Sequence, residues 1–329
     1  MNLKEEILRL KEELDVTLVA HYYQRDEVFE LADITGDSLE LARRAKETAS
    51  KYIVFCGVGF MGESVKVLDP QKIVLMPKIA CCAMARMIDE GYFEENLQKI
   101  NAAGISNDDI LPITYINSSA AVKARVGEMG GMVCTSSNAY KIIEKGLKSG
   151  KKIFFVPDRC LGQNFAKQMN LKSAIVGDGT NLNEADIICY NGFCSVHQLF
   201  TIEDIEFYRE KYEDILIAVH PECDPSICDA ADFVGSTSQL IKYITELPIE
   251  QKIAVGTEYN MVNRLREKNT YILSSTKPEC PTMNETTLED VYKTLKSIKD
   301  GKISQECEIK VSEDVAKWAR VALERMFEV

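Results

Sequence analysis

Leu18-Val19-Ala20-His21, Ile113-Thr114-Tyr115-Ile116-Asn117 and Ile217-Ala218-Val219-His220 are one phrase written three times: an apolar run of strand length that ends in polar side chains. After each, a Ser/Thr turn opens a helical stretch, at Asp37-Ser38, Thr135-Ser136-Ser137 and Ser236-Thr237. A second apolar run follows, Ile53-Val54-Phe55, Ile153-Phe154-Phe155 and Ile253-Ala254-Val255, which sets a period of roughly 100 residues. Another helix and a third strand then lead to one cysteine, Cys82, Cys194 or Cys280. Such self-similarity means three copies of one supersecondary unit. Strands alternating with helices predict parallel sheets sandwiched between helices. The expected fold is therefore α/β, with three pseudo-symmetric three-layer α-β-α domains around a central site. The expected domains are residues 1–88 plus 282–329 with the terminal helices, residues 89–194, and residues 195–281.

The chain has 329 residues, 46% of them hydrophobic, which is ample for several cores. Its net charge of −12 argues against a nucleic-acid partner, because phosphate backbones need clustered Lys and Arg. The apolar stretches are only strand-length, so no membrane span is expected. Met1 to Glu6 reads as the start of an amphipathic helix rather than a signal peptide, and the expected location is cytoplasmic. Leu3, Ile7, Leu10 and Leu14 fall on one face of a helix over 2–14. The tail from Leu288 reads as two helices around a short Ile309-Lys310-Val311 strand.

In parallel α/β units, ligands bind beyond the carboxyl ends of the strands. His21, Tyr115, Asn117 and His220 fall there. The helices expected to begin at Ser38, Ser136 and Thr237 point their free N–H groups to the same side, where anions bind. Eleven cysteines with no Cys-x-x-Cys pair favour metal ligation or buried thiols over disulfides. Cys56, Cys134, Cys160, Cys189 and Cys307 read as small buried hydrophobes. The trio at equivalent positions reads as an iron–sulfur ligand set rather than structural zinc, which closes four ligands from paired local motifs. Three protein ligands leave one iron open as a Lewis acid. Spacing does not separate Cys81 from Cys82. His197, three residues after Cys194, reads equally as support for the metal group or as core. Two other readings stay open at this point: an iron–sulfur sensor or carrier, and a metal-free sugar-phosphate binder.

The motifs Ala20-His21-Tyr22-Tyr23-Gln24, Cys82-Ala83-Met84-Ala85, Tyr115 to Lys123, Thr135 to Ala139, Gly192 to His197, His220-Pro221-Glu222-Cys223 and Cys280-Pro281 occur in order along nearly the whole chain. With them the sequence closely resembles the quinolinate synthase family. The resemblance implies a central active site holding a 4Fe-4S cluster on Cys82, Cys194 and Cys280. It implies an enzyme that condenses iminoaspartate with dihydroxyacetone phosphate to quinolinate, phosphate and water, in NAD biosynthesis. It places substrate contacts on His21, Ser38, Tyr115, Asn117, Ser136, His220, Glu222 and Thr237, and the reacting groups among His21, Tyr23, Tyr115, His220 and Glu222. An aspartate oxidase or dehydrogenase is the expected source of iminoaspartate. Two departures from the family's pattern stand out. Cys81 occupies a position where the family often has Gly, and Cys82 is chosen because it keeps the Met84-Ala85 register. Ser274 and Lys277 stand where some members carry further cysteines, so no disulfide switch is expected there.

Overall fold

A computed structural model describes residues 2–328 and contains three sheets, all parallel. Strands β1 (Val16–His21), β2 (Ile34–Gly36), β3 (Tyr52–Cys56) and β4 (Ile73–Leu75) form the first, in the order β2-β1-β3-β4. The second holds β5 (Ile110–Tyr115), β6 (Met132–Cys134), β7 (Lys152–Val156), β8 (Ser173–Ile175) and β9 (Ile187–Cys189), in the order β6-β5-β7-β9-β8. The third holds β10 (Leu216–Val219), β11 (Phe233–Val234), β12 (Ile253–Gly256) and β13 (Thr270–Ile272), in the order β11-β10-β12-β13. The three orders superpose once β8 is set aside as an extra edge strand. Helices flank each sheet, giving the three α-β-α units that the repeat predicts.

The central strands are buried on both faces, as parallel sheets require. Every residue of β1 and β5 is buried, and so are Ile53–Cys56, Ile153–Val156 and Ile253–Gly256. The first helix runs Leu3–Glu13, closed by an Asn2/Glu5 capping box, and buries Ile7 and Leu10 against the first sheet. In the tail, helices Leu288–Lys299 and Glu313–Met326 form as expected, but the strand between them does not. A single antiparallel bridge, Leu75 to Glu308, stands in its place, with the Ile309 N–H donating to the Val74 carbonyl at 2.9 Å. The flanking Glu308 and Lys310 leave too short an apolar run to carry a ladder.

The Glu313–Met326 helix crosses the helix Ala120–Glu128 at Gly127. A Cβ on Gly127 would lie 2.1 Å from the Trp318 carbonyl oxygen, so the two backbones touch only because that atom is missing. Gly127→Ala should therefore destabilise the protein by about 2 kcal/mol, overriding the higher helix propensity of Ala. A lowered denaturant midpoint checks this.

Candidate active site

The carboxyl ends of the three sheets converge on one interior cavity. Its lining includes all twelve residues singled out from the sequence. Two features recur around the local threefold relation, and a third joins them.

The first is a wall of cysteines. The N–H groups of Gly59, Arg159 and Tyr259 donate to the carbonyls of Ala80, Gly192 and Pro278, two residues before each cysteine, at 2.8, 2.9 and 2.9 Å. A single 3₁₀ turn follows each cysteine, at Ala85–Met87, His197–Leu199 and Met283–Glu285. Backbone N–H groups of these turns point back at the sulfurs of Cys82, Cys194 and Cys280. Burial pushes all three thiols up, Cys82 to about 12 and Cys194 well above its ordinary range. Bare, they stay protonated. As thiolates they need a nearby cation, and the N–H groups aimed at them stabilise that anionic form. The donor set fits a thiolate-bound metal group. Cys81 is exposed and does not line the cavity, whereas Cys82 does. Cys56, Cys134, Cys160 and Cys189 are buried as expected, Cys307 is only half-buried, and none of the eleven forms a disulfide.

The second feature is a wall of helix N-termini. Ser38 and Thr237 open the helices Ser38–Glu47 and Thr237–Glu246. Ser136 does not open its helix, which runs Ala139–Leu147. It sits in the turn before it, where the Asn138 side chain accepts from the Thr135 N–H at 2.7 Å and interrupts helical geometry. The Ala139 N–H nonetheless reaches the Thr135 carbonyl at 2.9 Å, which closes the turn that carries Ser136, and Thr135 and Ser136 line the cavity. Asp37 ties the three ends together. Its Oδ1 caps Leu39 and Glu40, while its Oδ2 accepts from Ser137 at 2.9 Å and Ser238 at 2.6 Å.

The third feature lies between the walls. His21 Nδ1 accepts the Tyr23 N–H at 3.1 Å, and His220 Nδ1 accepts the Glu222 N–H at 3.3 Å. Each ring is thereby set as the Nε2–H tautomer. His220 Nε2–H donates to Ser136 Oγ at 3.3 Å. Burial pulls His21 down to about 4 and His220 to about 3, so both are neutral donors at pH 7. Glu222 is buried, which alone would raise its carboxyl. Its neighbours His197 and His220, with hydrogen bonds from His197 and Tyr115, overcome that and hold it below the usual carboxylate range. Tyr115 Oη donates to Glu222 Oε1 at 2.5 Å, and His197 Nδ1 donates to Oε2 at 2.8 Å.

With Nδ1 protonated against Glu222, His197 Nε2 accepts from Thr257 Oγ1 at 3.1 Å. Thr257 Oγ1 in turn lies 3.0 Å from the Tyr23 hydroxyl, which also meets Thr237 Oγ1 at 3.0 Å. An unbroken chain thus runs Tyr23, Thr257, His197, Glu222, Tyr115. Burial holds both tyrosines well above their ordinary range, so each rests as a phenol. Cys194, His197 and Glu222 lie close enough to share an ion, yet both nitrogens of His197 are already engaged within the chain. Asn117 Oδ1 is buried without a partner, on a side chain that lines the cavity.

The two histidines make the site acid-labile. Their unfolded-state pKa is about 6.5, and their folded values are about 4 and about 3. Below pH 6.5 the unfolded chain binds protons that the folded one refuses. Stability of the metal-free protein should therefore fall as pH drops from about 6.5 toward 4, with no contribution from these groups above that window. His220→Gln should show a shallower fall in thermal midpoint over the same range.

Sequence reasoning missed Thr257, and it left His197 undecided. Thr257 follows the third apolar run, where the equivalent positions hold Gly57 and Pro157. A hydroxyl in only one of three copies was the available signal. Glu258 was also missed. It is buried at the next position, accepts the Cys280 N–H at 3.3 Å and is raised to about 8 by burial.

Residues 5–328 match the family model for the Quinolinate synthetase A protein. A quinolinate synthase from Helicobacter pylori is 55% identical, covering 100% of this chain and 98% of that protein. One from Acidobacterium capsulatum is 41% identical over 95% of this chain and 88% of its own length. One from Streptomyces coelicolor is 38% identical over 94% and 84%. Full-length agreement at these identities, on a chain whose repeated copies meet in one enclosed site, makes this protein an enzyme that belongs to the quinolinate synthase family.

Proposed function

We propose that this chain condenses iminoaspartate with dihydroxyacetone phosphate to quinolinate, phosphate and two waters, in NAD biosynthesis. The observation that carries this reading is that two trios line one cavity: the half-buried thiols of Cys82, Cys194 and Cys280, and the hydroxyls of Ser38, Ser136 and Thr237, two of which open helices. A carrier needs no such second wall, and a sugar-phosphate binder needs no such thiols.

Cys82, Cys194 and Cys280 would hold a 4Fe-4S cluster whose fourth iron, when the cluster is bound, supplies a Lewis acid for a departing hydroxyl or carboxylate oxygen. The remaining chemistry falls to the chain's own side chains. Ser136 and Thr237, with their N–H groups, seat the phosphate, and Ser38 seats a carboxylate. The amide of Asn117 meets the substrate where its Oδ1 lacks a protein partner. His21 and His220 present Nε2–H donors to oxygens that gain charge as bonds break. Tyr23 exchanges its hydroxyl proton through Thr257 with His197 Nε2, and Glu222 balances the imidazolium so formed. The buried walls exclude water from an imine that water would hydrolyse. That lability calls for a nearby source such as an aspartate oxidase or dehydrogenase. We take residues 1–88 plus 282–329, 89–194 and 195–281 as the domains bounding the cavity, and a cytoplasmic location. Among the described residues, no helix is long and apolar enough to cross a membrane.

Anaerobically reconstituted protein, given dihydroxyacetone phosphate and freshly generated iminoaspartate, should release phosphate and quinolinate one to one. Phosphate without quinolinate, or no product at full iron and sulfide load, would contradict the reading.

A further inference from the structure

No Lys or Arg lines the cavity, although the substrates proposed above carry two carboxylates and a phosphate. One lysine lies just behind it. Lys123, at the end of the first turn of the helix Ala120–Glu128, is 1% exposed and makes no ion pair among the described residues. Lysines are almost never fully buried unless paired. Its Nζ instead donates to two carbonyls of one short loop, Ile116 at 2.8 Å and Ser118. Between them stands Asn117, whose buried Oδ1 has no partner in the protein and whose side chain lines the cavity.

The loop is built to be held from behind. The Ile116 N–H donates to the Cys134 carbonyl at 2.8 Å, and the Ser118 N–H doubles back to the Ile116 carbonyl at 2.8 Å. Thr114 Oγ1 donates to Ser118 Oγ at 2.8 Å, and Ser118 Oγ donates to the Tyr115 carbonyl at 3.1 Å. Glu63 Oε2 takes the Ala120 N–H at 2.7 Å and so fixes the start of the helix that carries Lys123. These contacts fix the backbone on either side of Asn117. The Ser118 carbonyl is met from the side chains only by Lys123, and a buried carbonyl must find a donor. Without Lys123 the Ser118 carbonyl loses its side-chain donor and the Ile116 carbonyl one of its two donors, so the bracing on both sides of Asn117 loosens together.

We propose that Lys123 is a positioning residue for substrate binding, which pins both carbonyls of the Ile116–Ser118 loop so that the Asn117 amide faces the substrate. This rests on the reaction proposed above, but makes a separate claim: although the Lys123 Nζ also lies 5.3 Å from the ring centre of Phe60 in the cavity lining, Lys123 acts on substrate affinity through Asn117.

The test is a double-mutant cycle in steady-state kinetics on the reconstituted enzyme, using Lys123→Met, Asn117→Ala and the double variant, with iron content and thermal midpoint read beside them. Each single variant should raise the KM of the same substrate about tenfold, with kcat changed far less and iron load unaltered. The double variant should be no worse than the poorer single, because coupled residues do not add. Lys123→Gln, which keeps two N–H donors on a shorter stem, should recover part of the lost affinity. If Lys123→Met does not fold, Lys123→Gln carries the cycle. Effects that multiply in the double variant, or an unchanged KM in either single, would overturn the proposal. Wild-type enzyme that makes no quinolinate would instead overturn the functional reading, so the two failures are distinguishable.

Discussion

Cys194→Ser is expected to remove the intact cluster and quinolinate formation together. The cavity's sulfur wall has three members at equivalent positions and no spare, since Cys81 is exposed away from it. Serine keeps the size but not the soft, ionisable donor that iron–sulfur clusters need. Losing the proposed Lewis acid would forfeit several kcal/mol of transition-state stabilisation, a rate loss of about a thousandfold or more. Cys82→Ser and Cys280→Ser should behave alike, because the same turn and the same pattern of N–H donors surround each sulfur. Cys56→Ser and Cys160→Ser should keep both cluster and activity, since those thiols are buried and neither lines the cavity. Iron and sulfide analysis with a quinolinate assay checks all five. A full iron load in Cys194→Ser would break the assignment.

Glu222→Gln is the second large effect. The change is nearly isosteric, so the fold should hold, but it replaces an acceptor pair by one acceptor and one donor. Tyr115 Oη–H and His197 Nδ1–H both point at the present carboxylate. The new amide N–H₂ must face one of them. If His197 answers by moving its proton to Nε2, it no longer accepts from Thr257, and the route from Tyr23 is cut. The charge that would offset a protonated His197 is gone as well. A loss in kcat of about 10²- to 10⁴-fold is expected, with little change in KM. A variant within a few-fold of wild type would show that Glu222 only shapes the cavity.

Much of this was legible from the chain because burial and function leave different marks. Parallel strands covered on both faces are apolar throughout, so the polar groups that end them, His21, Tyr115 and His220, stand out. Repetition then multiplies each signal by three, which picks three cysteines out of eleven. What escaped lacks that multiplication. Strand β8 occurs in one copy only, and its short Ser173–Ile175 segment has no pattern of its own. The delayed helix start at Ala139 depends on Asn138 turning its side chain back onto Thr135, a contact no periodicity encodes. Asp37 reads as an ordinary N-cap, and its second oxygen's bonds to Ser137 and Ser238 exist only once the three copies meet. Thr257 joins residues from three distant segments, Tyr23, His197 and itself, so its role belongs to the assembled fold rather than to any local spacing.

The central claim is that position within the repeat, rather than cysteine content, selects the metal ligands, and the adjacent pair Cys81 and Cys82 tests it most directly. Iron bound per chain after anaerobic reconstitution should stay near wild type, about four, in Cys81→Ser and collapse in Cys82→Ser. The opposite pattern, with iron lost in Cys81→Ser and retained in Cys82→Ser, would contradict the account.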